Sequence, residues 1–336
     1  MKPRGKSVKL VSKSAAPPAT ALAATGAELV LGVDGGATKT RAVVVDARQR
    51  VLGEGIAGPS NPLRVGVQAA VSAIREAIDR ACRAGHTRRA EIVAAEMGLA
   101  GVKRADLRER MHDALASLGI PTLEVVTDAD IALFGATGGK PGLVLIAGTG
   151  SVCCGSNARG QKVYAGGWGP IAGDEGSGSW IARRGLQAVA RASDGRGRET
   201  PLVRAACAYF NAAKPDDLGT AIYAPSMTHD HIAGFARHVI ECAKKRDAVS
   251  LAIMSDAGKE LAAAAVAVIK RLRIERESFP VGYVGGVFNS GELLLKPLRR
   301  EILRVAPEAR LAPPLHAPAE AAARMAREQL QLALAG

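Results

Sequence analysis

The chain has 336 residues, enough for two domains of ordinary size, and only 3% of them are aromatic, so its cores must rest on Ala, Val, Leu and Ile. No apolar run is long enough to span a bilayer, which removes the integral membrane classes. The formal net charge of +13 divides into +5 from residues 1–27 and +8 in scattered clusters such as Arg88-Arg89 and Lys244-Lys245-Arg246; without stacking aromatics or a reader motif, that pattern gives no reason to expect a nucleic-acid partner and fits a small acidic substrate such as a nucleotide.

Residues 1–27 carry Lys2, Arg4, Lys6, Lys9 and Lys13 and no acid, and lack a secretory apolar segment; the expectation is a disordered basic extension. The organising stretch follows. Gly32-Val33-Asp34-Gly35-Gly36-Ala37-Thr38-Lys39-Thr40 lies between two apolar runs, 29–33 and 42–45, each too short for an ordinary helix, so it reads as a β-hairpin. Successive N–H groups in such a turn can cradle an anion, and Asp34 could hold a hydrated Mg²⁺; an ordinary tight turn remains the alternative. A third strand at 51–57 completes a meander closed by Gly58-Pro59-Ser60-Asn61-Pro62. Helical spacing over 66–84, a strand at 91–97, a helix marked by Leu107, Met111, Leu115 and Leu118, a strand at 123–127 and a short helix at 129–136 give βββαβαβα for residues 28–138.

After Pro141-Gly142 the pattern begins again, with a strand at 143–147, the turn Gly148-Thr149-Gly150, a strand at 151–156 and a third at 162–165. This echo is the weak internal repetition a duplicated domain leaves. Helices are expected through most of 176–273, a strand at 281–284, and helices near 291–305 and 318–334. The expected organisation is an N-terminal lobe over 28–138, a C-terminal lobe over 139–318, and a last helix, 319–336, that packs back on the first lobe.

The five cysteines lack C-x-x-C spacing, so they form neither a disulfide framework nor a zinc site, and a reducing cytoplasm is the expected compartment. No Walker A loop, G-x-G-x-x-G, H-E-x-x-H or G-x-S-x-G occurs. What recurs is clustered glycine at strand ends: Asp34-Gly35-Gly36, Gly148-Thr149-Gly150-Ser151, Gly166-Gly167-Trp168-Gly169 running into Gly173-Asp174-Glu175-Gly176-Ser177, and Gly285-Gly286. Ligands of open α/β sheets sit beyond the carboxyl ends of strands, so turns from two lobes could clamp one nucleotide. Asp128 ends a strand and either faces that cleft or caps the helix after it.

These segments resemble the sugar-kinase, actin and heat-shock ATPase superfamily, and more narrowly its N-acetylglucosamine kinase-like members of the BadF/BadG/BcrA/BcrD-type ATPase family, from about residue 29 to 322. The resemblance implies an α/β fold of two ribonuclease-H-like lobes (βββαβα type) around an ATP and sugar cleft. It implies that Asp34, Gly35, Gly36, Thr38 and Lys39 form the first phosphate loop, with Asp34 near Mg²⁺, and that Gly148, Thr149 and Gly150 form the second. It makes Asp128 the general base for the sugar 6-hydroxyl. Asn61, Asp128, Gly167, Trp168, Gly169 and Asp174 would hold the sugar, and Ala233, Gly285 and Gly286 would border the adenosine. A homodimer is implied as well. Ala37 departs from the family pattern, which more often has a third glycine there.

The activity so implied is phosphorylation of N-acetylglucosamine by ATP, with glucosamine or N-acetylmuramic acid as alternative substrates. A different class, an ATPase that activates a dehydratase through a cluster shared between subunits, would need exposed cysteines, and Cys153-Cys154, adjacent on a strand, are poorly placed for it.

Overall fold

The computed structural model describes residues 28–335; the basic extension over 1–27 lies outside them. In the first lobe β1 (Leu29–Gly35), β2 (Thr40–Val45) and β3 (Val51–Ala57) form an antiparallel meander. The short α1 (Pro62–Val65) and the long α2 (Val67–Ala84) follow. Next, β4 (Ile92–Leu99) pairs parallel with β1, and β5 (Thr122–Thr127) pairs parallel with β4; α3 (Ala105–Leu115) connects them and α4 (Asp128–Thr137) leaves the sheet. The strand order is β3-β2-β1-β4-β5. Ala70, Ile74, Ala77, Ile78 and Ala81 of α2 fall on one side at helical spacing and bury against Leu31, Val33, Ala42 and Val44.

The second lobe repeats this plan. Here β6 (Gly142–Ala147), β7 (Ser151–Ser156) and β8 (Lys162–Gly166) form the meander. A helical block then intervenes: α5 (Gly169–Ala172), α6 (Gly178–Ser193), α7 (Leu202–Tyr209), α8 (Leu218–Ile222), α9 (His229–Gly234), α10 (Ala236–Lys244) and α11 (Ala248–Leu272). The strand β9 (Pro280–Val284) pairs parallel with β6; after α12 (Glu292–Val305), β10 (Arg310–Ala312) pairs parallel with β9. The resulting order, β10-β9-β6-β7-β8, mirrors the first sheet strand for strand. Sequence reading did not find β10, because Arg310-Leu311-Ala312 carries no strand pattern of its own; it becomes a strand by pairing with Pro280–Gly282. The core is organised on α11, whose Ala257, Leu261, Ala265, Val268 and Ile269 are buried, with Phe235 and Phe279 its largest enclosed side chains.

The last helix, α13 (Pro318–Ala335), lies on the first sheet. Its small residues Ala319, Ala323 and Ala326 pack on Val30, Val43, Val45 and Ala94. Approach is close enough that a side chain on Gly32 would strike the backbone of Ala319 and Ala323. Arg327 fastens the helix by donating to the Glu28 carbonyl at 2.6 Å.

All five cysteines are free. Cys153 and Cys154 point to opposite faces of β7, and both are fully buried. Burial drives the Cys153 thiol pKa well up and that of Cys154 to about 12, so both are core residues with unreactive thiols. Among the described residues no helix is long and apolar enough to cross a membrane.

Candidate active site

The site grows from the carboxyl ends of the first sheet. Gly35, Leu99 and Thr127 stand in one row across β1, β4 and β5. The loops that follow these strands therefore collect at one edge. Gly36 N–H donates to the Lys39 carbonyl at 2.9 Å, closing the first hairpin turn. Ala100 N–H donates to the Gly35 carbonyl at 2.7 Å and Ser60 N–H to that of Gly36 at 3.0 Å, so the turn is held by both neighbouring loops. Thr40 Oγ1 adds bonds of 2.7 Å to the Gly58 carbonyl and to Ser60 Oγ. Thr38 and Lys39 remain exposed at the tip.

Asp34 and Asp128 meet at this edge. Burial, followed by the charge of Asp128, pushes the Asp34 carboxyl up to about 6. Burial also raises Asp128 above the ordinary carboxylate range. The capping role that competes for Asp128 is taken by its neighbours. Thr127 is the N-cap of α4, receiving the Asp130 N–H on its hydroxyl, while Asp130 accepts from the Thr127 N–H at 3.1 Å. Among the described residues the Asp128 carboxylate accepts the Ala129 N–H, at 2.9 Å on one oxygen, and its second oxygen has no hydrogen bond. Asp130 is engaged elsewhere: burial opposes its charge, but Lys162 of the second lobe, at 2.6 Å, and Thr127 hold its pKa below the usual value.

The second glycine turn is bound differently. Gly178 and Ser179, in the first turn of α6, donate their N–H groups to the carbonyls of Gly148 and Thr149 at 2.8 and 3.1 Å. Asp174, nearly enclosed, accepts the Ser151 N–H at 3.3 Å, which places this sugar candidate directly on the second turn. Trp168, by contrast, is 77% exposed, its indole free to meet a ligand.

Beside this turn opens a cavity of about 600 Å³, within the range of small-ligand sites. Gly148, Thr149, Ala233 and Gly286, from three distant stretches of sequence, line it together. Gly285 stays behind them: at φ +118° it sits so close to Ala147 that a side chain would collide with the β6 backbone. Ala236, Ile240 and Val287 supply apolar wall; Asp230, Arg237, Glu241, Lys244 and Asn289 supply a polar rim. Sequence reading missed these rim residues, since isolated charges in helical segments carry no local signal. It also passed over Glu96, an acid inside the run Ala94-Ala95-Glu96-Met97, although that interruption was visible. Among the described residues neither carboxylate oxygen of the fully buried Glu96 has a well-formed hydrogen bond, and burial, then the Glu124 charge, pushes its pKa up to about 7 against the opposing pull of the Gln329 amide.

Among the described residues no three His, Cys, Asp or Glu side chains form a metal cluster. A divalent cation at Asp34 would take its remaining ligands from phosphate oxygens and water, the mode Mg²⁺ favours. Two half-buried carboxyls with raised pKa values fit such a cation, whose charge would relieve their repulsion.

Comparison with known proteins gives the family and supports the fold. The family model described as the BadF/BadG/BcrA/BcrD ATPase family matches residues 31–326. The chain is 32% identical over 272 residues to the N-acetylmuramic acid/N-acetylglucosamine kinase of Clostridium acetobutylicum, covering 81% of this chain and 89% of that one. It is 30% identical over 296 residues to the N-acetyl-D-glucosamine kinase of Dictyostelium discoideum, covering 84% and 93%. A crystal structure from Chromobacterium violaceum, described as a "putative N-acetylglucosamine kinase", superposes with a TM-score of 0.74 at 26% identity, covering 90% of this chain and 99% of that one.

Proposed function

The chain belongs to the BadF/BadG/BcrA/BcrD ATPase family, and from that premise we propose that it is an ATP-dependent amino-sugar kinase that phosphorylates the 6-hydroxyl of N-acetylglucosamine. The observation that carries the reading is Asp128: a half-buried carboxylate at a strand end, freed from capping by Thr127 and Asp130, beside a second half-buried acid, Asp34.

In this proposal Asp128 accepts the proton of the sugar 6-hydroxyl as the oxygen attacks phosphorus, and the sugar 6-phosphate and ADP leave. Asn61, Asp174 and the Gly167-Trp168-Gly169 turn hold the sugar. The hairpin from Asp34 to Lys39, with Thr38 at its tip, holds phosphate oxygens from one side and Gly148-Thr149-Gly150 from the other. Ala233 and Gly286 border the adenosine, with Gly285 packing behind them. Asp34 would hold Mg²⁺, which supplies charge neutralisation on the phosphates. Phosphoryl transfer depends mainly on positioning and charge, and turns of this kind bring backbone N–H groups directly to ligand oxygens.

A homodimer in a reducing cytoplasm completes the proposal, and gel filtration checks the assembly. N-acetylmuramic acid and glucosamine remain alternative acceptors, supported for the first by the relative from Clostridium acetobutylicum, named for both N-acetylated sugars. The dehydratase-activator reading loses support from Cys153 and Cys154, both fully enclosed in β7, where a cluster shared between subunits would not reach them. The test is ADP release measured over glucosamine, N-acetylglucosamine, N-acetylmuramic acid and glucose. We expect N-acetylglucosamine to stimulate turnover most; no stimulation by any amino sugar would sink the kinase reading.

A further inference from the structure

Among the described residues two ion pairs join the lobes besides the one that fastens α13. Lys162 to Asp130 lies where the sheets adjoin, and Arg64 to Asp230 links α1 to α9. We propose that Arg64 and Asp230 form a latch between the lobes that couples occupancy of the sugar loop to occupancy of the nucleotide cavity, with Arg64 as a positioning residue. The inference rests on the kinase reading for the identity of the two ligands.

Each end of the latch is wired to one site. On the first lobe, α1 hangs from Asn61: its side chain accepts the Leu63 N–H at 3.0 Å, and its carbonyl accepts those of Arg64 and Val65 at 3.0 and 3.1 Å. A sugar that engages the Asn61 side chain therefore acts on the residue that sets the position of Arg64. On the second lobe, Asp230 lines the nucleotide cavity, and Ala233 and Gly234 of the same short helix line it too. That helix is fixed in turn by the Thr228 hydroxyl, which accepts the His231 N–H, and by Tyr209, whose hydroxyl donates to the His231 carbonyl at 2.8 Å. The guanidinium of Arg64 reaches Asp230 Oδ2 at 2.8 Å, across 166 positions of sequence. Movement of either wall changes the geometry of the pair.

The strength of the pair suits a latch. The side chains are 45% and 41% exposed, so solvent screens their attraction and each is hydrated when they part. Such a pair shifts an equilibrium roughly two- to fivefold. A cleft that must open to release product in every cycle needs a bias of that size, since a much stronger bridge would hold product in. Coupling through it is reciprocal: if sugar tightens nucleotide binding by some factor, nucleotide tightens sugar binding by the same factor.

The experiment measures ADP affinity by calorimetry with and without saturating N-acetylglucosamine, in wild type, Arg64→Ala, Asp230→Ala and the charge-reversed Arg64→Asp/Asp230→Arg protein. The readout is the ratio of the two affinities, which a change confined to the nucleotide wall does not alter. We expect Arg64→Ala to lower that ratio roughly two- to fivefold and the reversed pair to recover it. A ratio equal to wild type in Arg64→Ala, or no recovery in the reversed pair, overturns the latch. A second readout needs no sugar: in the ligand-free protein, Arg64→Ala should speed amide exchange in residues 61–65 and 228–234 by a similar factor, and unchanged exchange overturns the latch as well. Absence of amino-sugar turnover in wild type would instead strike the kinase reading, leaving the exchange measurement to decide on the latch.

Discussion

The two glycine turns occupy equivalent places in sheets of the same strand order, yet they are built for different work. The first follows an acid, Asp34, and stands beside another, Asp128, both half-buried. The second follows Ala147, has no acid in its strand, and is tied by its carbonyls to the start of α6. A nucleoside-sized cavity opens beside the second turn. The two sheets share a strand order but not their side chains: the paired acids stand on the first lobe and the cavity opens on the second. In the proposed reaction neither lobe acts alone, which gives weak bridges such as Arg64 to Asp230 their place between them.

The comparison can be broken most sharply at Asp128. In Asp128→Asn the oxygen that accepts the Ala129 N–H is kept and the base is lost. We expect kcat to fall by roughly 10²–10⁴ with sugar affinity and unfolding temperature near wild type. A kcat near wild type would reduce Asp128 to a structural residue and remove the asymmetry of the lobes.

Glu96 tests whether the first lobe carries acids at a cost to its stability. Its folded pKa, about 7, lies above the unfolded value of 4.5, so its contribution is fully present below 4.5 and is lost as pH rises through 7. The loss is about 3 kcal/mol. Glu96→Gln is neutral throughout, so urea unfolding should show it more stable than wild type by about that amount at pH 8 and equal at pH 4. Equal stability at pH 8 would show that Glu96 is relieved by a partner in the folded protein.

Thr149→Val probes the second turn. Loss of a hydroxyl proposed to meet a charged phosphate should raise the KM for ATP roughly ten- to a hundredfold with a smaller change in kcat. An unchanged KM would place the phosphates away from this turn.

The smallest expected effect is on pH dependence. Since the Asp34 carboxyl titrates near 6 in the free protein, kcat/KM should decline below that pH, by about tenfold at pH 5, as the protonated acid loses its hold on a cation. A profile flat to pH 5 would remove Asp34 from the reaction.

Much of this was readable from the residues. Among the described residues nine of the ten strands were marked by short apolar runs bounded by turn residues, six of them in the two meanders, where pairing is local. Asp128 at the end of its strand was visible, but its freedom was not: Asp128 and the Thr127 and Asp130 that took the cap adjoin in sequence, and only backbone geometry decides which of them does the capping. The helix at Pro62–Val65 carried a signal that was read as a plain turn, an Asn cap followed by Pro at the first helical position.

By itself, then, the sequence determined the two meanders, the glycine turns at their strand ends and the acids beside the first turn, since each is written in neighbouring residues. Tertiary structure alone decided that β10 is a strand, that Ala233 and Gly286 share a cavity with Thr149, and that Arg64 faces Asp230. The reason is physical. Turn chemistry and apolar periodicity act over a few residues, whereas an edge strand, a cavity wall and an ion pair between lobes exist only after burial of the cores has fixed where distant segments lie. The turn from Asp34 to Thr40 belongs to both classes: its conformation is local, and its partner across the cleft is not.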